Sequence, residues 1–248
     1  MLDAQVPASS GFVQDCDDLL HQQYVRTNTG FGDFDRVTTL VNKYASGQES
    51  RCDLGISTLD SVDGYHKTLI TVLTPGVYKG LAILSHPGPS ALQWIYMPAT
   101  GQVAAVNLED RTAAFFESEF TYEDAGLSSY KDYINTYVGS RDLNGKSCHV
   151  VNSVPRDSKS GYSKIVYWIE QSTLFNQKID YYDKAGDLLK TLNMDGWSLY
   201  TETFAVVKDM YMVNHQTGAQ SELHISQIKL GNHYASEDFM PERIRRTQ

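Results

Sequence analysis

The residues best equipped for chemistry are acidic: Glu117 and Glu119, then Glu123 and Asp124, all fall within Phe115-Phe116-Glu117-Ser118-Glu119-Phe120-Thr121-Tyr122-Glu123-Asp124. Two carboxylates facing each other across a cleft can divide the work of glycosidic cleavage between general acid and base or nucleophile. An i, i+2 pair in extended backbone shares one face instead, where both acids can be solvated. Glu123-Asp124 ahead of Ala125-Gly126-Leu127 suits a turn or helix start, whose backbone N–H groups need acceptors. The block therefore reads as a structural anchor, with Phe120 and Tyr122 against a sheet and the carboxylates capping backbone. Ser85-His86 and the stretch from Ser221 to His224 bring a nucleophile near a base, yet no GxSxG elbow presents a serine. The seven histidines form neither HExxH nor an HxH pair, and none stands at metal spacing with a cysteine. Gly30-Phe31-Gly32 follows a helical pattern instead of a strand, which is wrong for a nucleotide loop. The expectation is a protein that is no enzyme and holds no metal or cofactor.

Three cysteines, Cys16, Cys52 and Cys148, are too few for a disulfide scaffold and too far apart for CxxC. They can leave one bridge and one thiol, or three buried thiols that act as small hydrophobes. Phe12-Val13-Gln14-Asp15 before Cys16 lacks the small residues of a lipoprotein cleavage site. A net charge of −9, with Arg243-Ile244-Arg245-Arg246 as the dense basic run, argues against nucleic acid and against charge-driven membrane binding. No stretch approaches the roughly 20 apolar residues of a membrane span. Met1-Leu2-Asp3-Ala4-Gln5-Val6-Pro7 has neither the basic nor the apolar region of a signal peptide, which taken alone suggests the cytoplasm.

The elements that must position these residues are mostly strands. Val13, Cys16, Leu19, Leu20 and Tyr24 recur at helical spacing, which predicts an N-terminal amphipathic helix over about residues 12–26. From about Phe34 the period drops to two, with turn signals at Gly47, Asp63-Gly64, Thr74-Pro75-Gly76, Pro87-Gly88-Pro89, Thr100-Gly101, Asn144-Gly145, Ser160-Gly161, Ala185-Gly186 and Thr217-Gly218. Later runs span Tyr133 to Val138, Cys148 to Val154, Lys164 to Ile169, Leu174 to Tyr182, Leu188 to Met194, Phe204 to Val213 and Ser221 to Leu230. That makes roughly ten to twelve antiparallel strands over about residues 34–230, too many for a flat sheet to hold without curling. Leu69 to Leu73, Leu92 to Met97 and Ile165 to Ile169 are apolar at odd and even positions alike, so both faces need cover. Helices at the N-terminus, around Asp124 to Tyr133 and over about residues 236–246 can supply one cover. A bound acyl chain, a lid or a second packed layer can supply the other. Sixteen tyrosines suit a β protein with a partly wet concave surface. With no Pro- or Ser-rich linker, residues 1–248 read as a single mainly β (α+β) domain.

Several blocks, in order, carry a resemblance to a known family: Leu73-Thr74-Pro75 with Lys79 to Leu84; Gln93-Trp94-Ile95-Tyr96-Met97-Pro98-Ala99; Ser118 to Asp124; Ser160-Gly161-Tyr162; Tyr181-Tyr182-Asp183; Leu188 to Leu192; Met212 to Gly218; and Asp238-Phe239. From about Asp33 to Arg246 the chain resembles the periplasmic outer-membrane lipoprotein-sorting family, with the LolA/LolB-like fold. The resemblance implies an incomplete β-barrel, formed by one curved antiparallel sheet, whose concave face is plugged by helices over an apolar cavity. It implies a periplasmic carrier of lipid or lipoprotein acyl chains toward the outer membrane, its leader removed, with an inner-membrane transporter as a candidate partner. The alternative is a non-catalytic docking or accessory module of a lipid-exporting transporter, with a packed interior. Candidate cavity residues are Trp94, Tyr96, Met97, Phe115, Phe116, Phe120, Met194, Trp197, Met210 and Met212, since Met and aromatic side chains adapt to variable tails. Two positions depart from the family: Glu117 stands where members usually carry Gly, and Gln102 to Val106 lacks their basic residues.

Overall fold

Alternating residues separated by Gly- and Asp-rich turns fold into a meander, and here the meander runs twice. The computed structural model describes residues 16–60, 66–74, 76, 78–87, 92–106, 112–124 and 129–246. One helix, α1 (Cys16–Asn28), precedes β1 (Asp33–Lys43), β2 (Glu49–Leu59), β3 (Lys67–Val72), β4 (Ala82–His86), β5 (Leu92–Met97) and β6 (Gln102–Ala105). The second run is β7 (Tyr133–Leu143), β8 (Lys146–Pro155), β9 (Lys164–Glu170), β10 (Asn176–Tyr182), β11 (Leu188–Asp195), β14 (Asp209–Asn214) and β15 (Gln220–Leu230). A small hairpin, β12 (Ser198–Leu199) with β13 (Ala205–Val206), interrupts it.

Thirteen strands form one antiparallel sheet in the order β6-β5-β4-β3-β2-β1-β15-β14-β11-β10-β9-β8-β7. The first and last strands pair at its centre, and β6 and β7 form the two edges, so the sheet curls without closing. Between Ala105 and Tyr133 the chain must travel from one edge to the other. The described part of that crossing, residues 112–124, carries the acidic-aromatic block over the inner face.

Strands greasy on both faces are explained by two different covers. Leu40, Leu54, Ile56, Ile70, Val72 and Ile83 point inward with Phe115, Phe120, Tyr162 and Tyr181. Leu69, Ala82 and Leu84 point outward and are covered by Phe239 and Ile244, with Trp94, Tyr96 and Tyr234 alongside. The C-terminal cover is not the expected helix over 236–246: it is two 3-10 turns, Ser236–Phe239 and Pro241–Arg246, on the outer face. Met240 between them is extended (φ −107°, ψ 146°), as expected for a residue preceding a proline, and Pro241 has no N–H to continue a helix. In the segment around Asp124 to Tyr133, residues 125–128 lie outside the described residues, and the described ones hold a 3-10 turn, Tyr130–Asp132, capped by Ser129. Residues 12–15 of the expected N-terminal helix, and the turn signals Asp63-Gly64, Pro75 and Gly88-Pro89, lie outside the described residues. The expected strand from Phe204 to Val213 is divided into β13 and β14 by Val207-Lys208.

α1 buries Leu19 and Leu20 against Val151 and Ile169, with Cys16, Tyr130 and Tyr137 at the margin. Its exit depends on Gly30 in the left-handed region (φ 79°), where a Cβ would meet Thr203 Oγ1 at 2.8 Å. The three cysteines are free thiols, and burial raises the pKa of Cys52 and Cys148, which keeps them protonated and unreactive.

Asp33 joins the start of β1 to the C-terminal cover by accepting the backbone N–H groups of Asn232 and Tyr234, the latter at 2.8 Å. Burial works to raise its pKa, but the N–H groups of Tyr234, Asn232 and His233 outweigh burial and leave the carboxyl below its ordinary value. A folded pKa below the unfolded one contributes stability that is full above about pH 4 and lost as pH falls through the folded value. Asp33→Asn is expected to cost about 1.5 kcal/mol at pH 7, the low end for bonds to a charged group because the amide oxygen can still accept one of the two N–H groups. Urea midpoints of the two proteins should converge at about pH 2; a gap that persists there would rule out the carboxylate as its source.

Candidate functional site

The crossing segment is fastened to the sheet by polar side chains, which turns three of its acids, Glu119, Glu123 and Asp124, into structural ligands. Lys190 Nζ donates to Asp124 Oδ2 at 2.6 Å and to the Glu119 carbonyl at 2.8 Å, and both charged side chains are only 3% exposed. The ammonium also lies 5.3 Å from the ring centroids of Tyr162 and Tyr181. Tyr162 donates its hydroxyl to Asp124 Oδ1 at 2.8 Å; burial first, then the Asp124 charge, pushes the phenol's pKa up and keeps it a donor. Glu123 accepts from Ser160 Oγ and from the Gly161 N–H at 2.9 Å. Asn214 Nδ2 donates to Glu119 Oε2 at 2.7 Å, and the Glu119 N–H donates to Ser221 Oγ at 2.9 Å. Asn42 Nδ2 donates to the Phe116 carbonyl at 3.1 Å.

Within the plug, Phe116 (φ 48°) and Glu117 (φ 57°) are left-handed, a conformation that costs a non-glycine residue energy. Glu117 thus stands at a position whose backbone favours glycine. The turn persists because the Phe115 N–H donates to the Phe120 carbonyl at 2.7 Å and the Ser118 N–H to the Phe115 carbonyl at 3.0 Å.

Under the plug lies a cavity of about 500 Å³. One wall is the β1 to β3 rows, with Thr38, Leu54, Ile56 and Ile70; the opposite wall is Ile165, Ile179, Tyr181 and Leu192. Walls drawn from both halves of the sheet show that it curls around this space. Leu20, Gln23, Tyr24 and Thr27, one face of α1 at i, i+3, i+4 and i+7 spacing, close one side. The β12–β13 hairpin closes another with Phe204 and Val206.

Of the ten candidate cavity residues, Phe115, Phe120, Met194, Trp197 and Met210 line this space together. The other five lie elsewhere. Trp94 and Tyr96 belong to the outer cluster under the C-terminal turns, because their neighbour Ile95 takes the inward position opposite Ile83. Met97 is half-buried at the end of β5. Phe116 packs against the inner cluster and edge-on to Phe115 at 4.6 Å, and Met212 is wholly buried core. Arg36, absent from that set, lines the cavity; its sequence signal was a charge at an inward position of the row Phe34, Arg36, Thr38, Leu40.

The remaining chemical candidates have structural partners. Gln93 donates to Ser85 Oγ at 3.0 Å, and His86 Nε2 is 2.6 Å from the Phe239 carbonyl with Trp94 edge-on at 5.0 Å. Ser221 donates to Asn42 Oδ1 at 2.9 Å, whereas His224 engages Asp209 at 2.7 Å and Glu222 at 3.2 Å. Among the described residues no cluster of three or more His, Cys, Asp or Glu side chains can hold a metal, and no helix is long and apolar enough to cross a membrane.

Comparison with solved structures finds the same architecture. A domain from Vibrio parahaemolyticus assigned as an outer membrane lipoprotein-sorting protein superposes with a TM-score of 0.87 at 27% identity, over 92% of this chain and 97% of that one. A DUF1329 family protein from Desulfovibrio piger gives 0.81 at 19% identity over 92% and 96%. A LolA superfamily protein from Nitrosomonas europaea gives 0.72 at 18% identity over 91% and 97%. No curated protein matches. A family model whose description reads "Uncharacterized protein" matches residues 64–246, most of the chain. With that match and an unclosed antiparallel sheet curled around a plugged cavity, the chain belongs to the LolA-like family.

Proposed function

We propose that this protein is a non-catalytic periplasmic carrier that takes acyl chains of a lipid or lipoprotein into the cavity and passes them toward the outer membrane. The cavity itself carries the reading: its volume falls in the range of small-molecule sites, and most of its wall is aliphatic, aromatic or thioether. The relative from Vibrio parahaemolyticus, assigned to lipoprotein sorting, supports the same direction. Sheltering a dodecyl tail from water contributes roughly 9 kcal/mol gross, before the costs of binding, enough for capture that stays reversible. An inner-membrane transporter is the delivering partner we favour. The docking-module alternative requires a packed interior, which a cavity of about 500 Å³ weakens.

A fluorescent acyl probe should bind saturably and be displaced by phospholipid or lipopeptide, with Trp197 emission responding because its indole lines the cavity. Met210, half-buried between Met194 and Leu223, supplies the control. Met210→Asp should weaken probe binding by about tenfold or more, since a tail pressed on a carboxylate loses its apolar wall, with a smaller effect on folding. A folded, lipid-stripped protein that takes up no probe would sink the carrier reading.

A further inference from the structure

Arg36 sits at a break in the central pairing of the sheet. Register passes from Asp35 opposite Lys229 to Val37 opposite Ser226, so Gln227 and Ile228 together face Arg36, and Gln227 adopts φ 51°. Such a bulge bends the strand and re-aims a side chain. Arg36 lines the cavity beside Thr38 on the same period-two row, with its guanidinium 5.4 Å from the Phe34 ring centroid. It makes no ion pair and no hydrogen bond with any described residue, and its Nε is shielded from solvent without a partner. Burial alone lowers its pKa, to about 10, with no carboxylate contributing. Thr38 Oγ1 and Asn176 Oδ1, both on cavity-lining residues, are also buried without partners. The acids that line the same space are committed elsewhere, Glu123 to Ser160 and Gly161, Asp124 to Tyr162 and Lys190.

An uncompensated guanidinium in an apolar enclosure is costly to the folded protein, and the group that best relieves it is a bidentate oxyanion. We propose that Arg36 receives the acidic head, a carboxylate or phosphate monoester, of an amphiphile whose tail fills the apolar remainder of the cavity. Thr38 Oγ1 supplies an additional hydroxyl donor. The proposal rests on the carrier reading and deepens it by naming the chemical class of the cargo.

The test uses the full chain stripped of co-purified lipid and titrated with probes below their micelle concentrations: laurate and dodecyl phosphate as acids, monolauroylglycerol as a neutral head on a matching tail, and inorganic phosphate as a head alone. The acids should bind at least about tenfold more tightly than monolauroylglycerol, and inorganic phosphate should not saturate at millimolar concentration. Arg36→Met should bring the acids down to the neutral probe and leave that probe within about twofold. Because the substitution removes a part-buried charge that no carboxylate compensates, the Tm of the ligand-free variant should equal or exceed that of the native protein. Equal binding of acidic and neutral heads overturns this inference while the carrier reading stands. Saturation by inorganic phosphate at the affinity of dodecyl phosphate would make the site one for free anions and also overturns it. A fall in Tm on Arg36→Met would reveal a partner for the guanidinium within the chain and overturn it as well. Failure of every tailed probe to bind overturns the carrier reading along with it.

Discussion

Lys190→Met is expected to lower the stability of the fold by about 3–5 kcal/mol, because it leaves the buried Asp124 carboxylate without its cation. The loss is larger than that of an exposed ion pair for two reasons. Both partners are almost wholly buried, and the same ammonium holds the Glu119 carbonyl, so the plug loses two attachments at once. Adding Asp124→Asn to Lys190→Met should recover more than half of the loss, since the amide can still accept from Tyr162 while no charge remains to be buried unpaired. Urea unfolding of the two single variants and the double variant measures this directly. A Lys190→Met cost under about 1 kcal/mol would show that the plug does not depend on the pair.

Phe120→Ala should cost about 3–5 kcal/mol, toward the upper end for its type. Its ring is 7% exposed, packs in the inner cluster and forms part of the cavity wall. Deleting it enlarges a space that already exists, so the neighbours have little means of collapsing into the gap. The backbone bond from the Phe115 N–H to the Phe120 carbonyl is untouched, which isolates the packing contribution. Denaturant midpoints at constant slope test it; a loss below about 2 kcal/mol would mean that Phe120 is dispensable for the core.

Period-two runs between glycine turns made most of the strands legible, since Leu188 to Met194 or Lys164 to Ile169 can satisfy its backbone only by pairing on both sides. The face was not legible where both faces are apolar. Trp94 and Ile95 differ by one position, and nothing local says which of them turns inward; the outer cover of Phe239 and Ile244 decides it from well over a hundred residues away. The C-terminal helix failed for a readable reason, Pro241 following Met240, which breaks the segment into two 3-10 turns. The plug was legible as structural because its acids lacked a catalytic spacing, but its partners Lys190, Asn214 and Ser221 come from three separate strand positions that only the fold assembles. Arg36 was missed although it is a charge in the row Phe34, Arg36, Thr38, Leu40, and its want of a partner emerges only when every neighbouring strand is in place.

The sheet never closes, and this sets how the space it encloses responds to an occupant. In a closed barrel, strand number and shear fix the radius, and widening the interior means breaking ladder hydrogen bonds. Here β6 and β7 are not bonded to each other, so the radius can change by small adjustments of twist summed over twelve strand pairings, with every ladder intact. Cross-section is then an elastic property of the whole sheet, restrained where the plug ties several strands together, from Asn42 on β1 through Asn214 on β14 and Lys190 on β11 to Ser160 and Gly161 in the turn after β8. Loosening those ties would widen the tolerated girth of an occupant without altering a single residue that touches it.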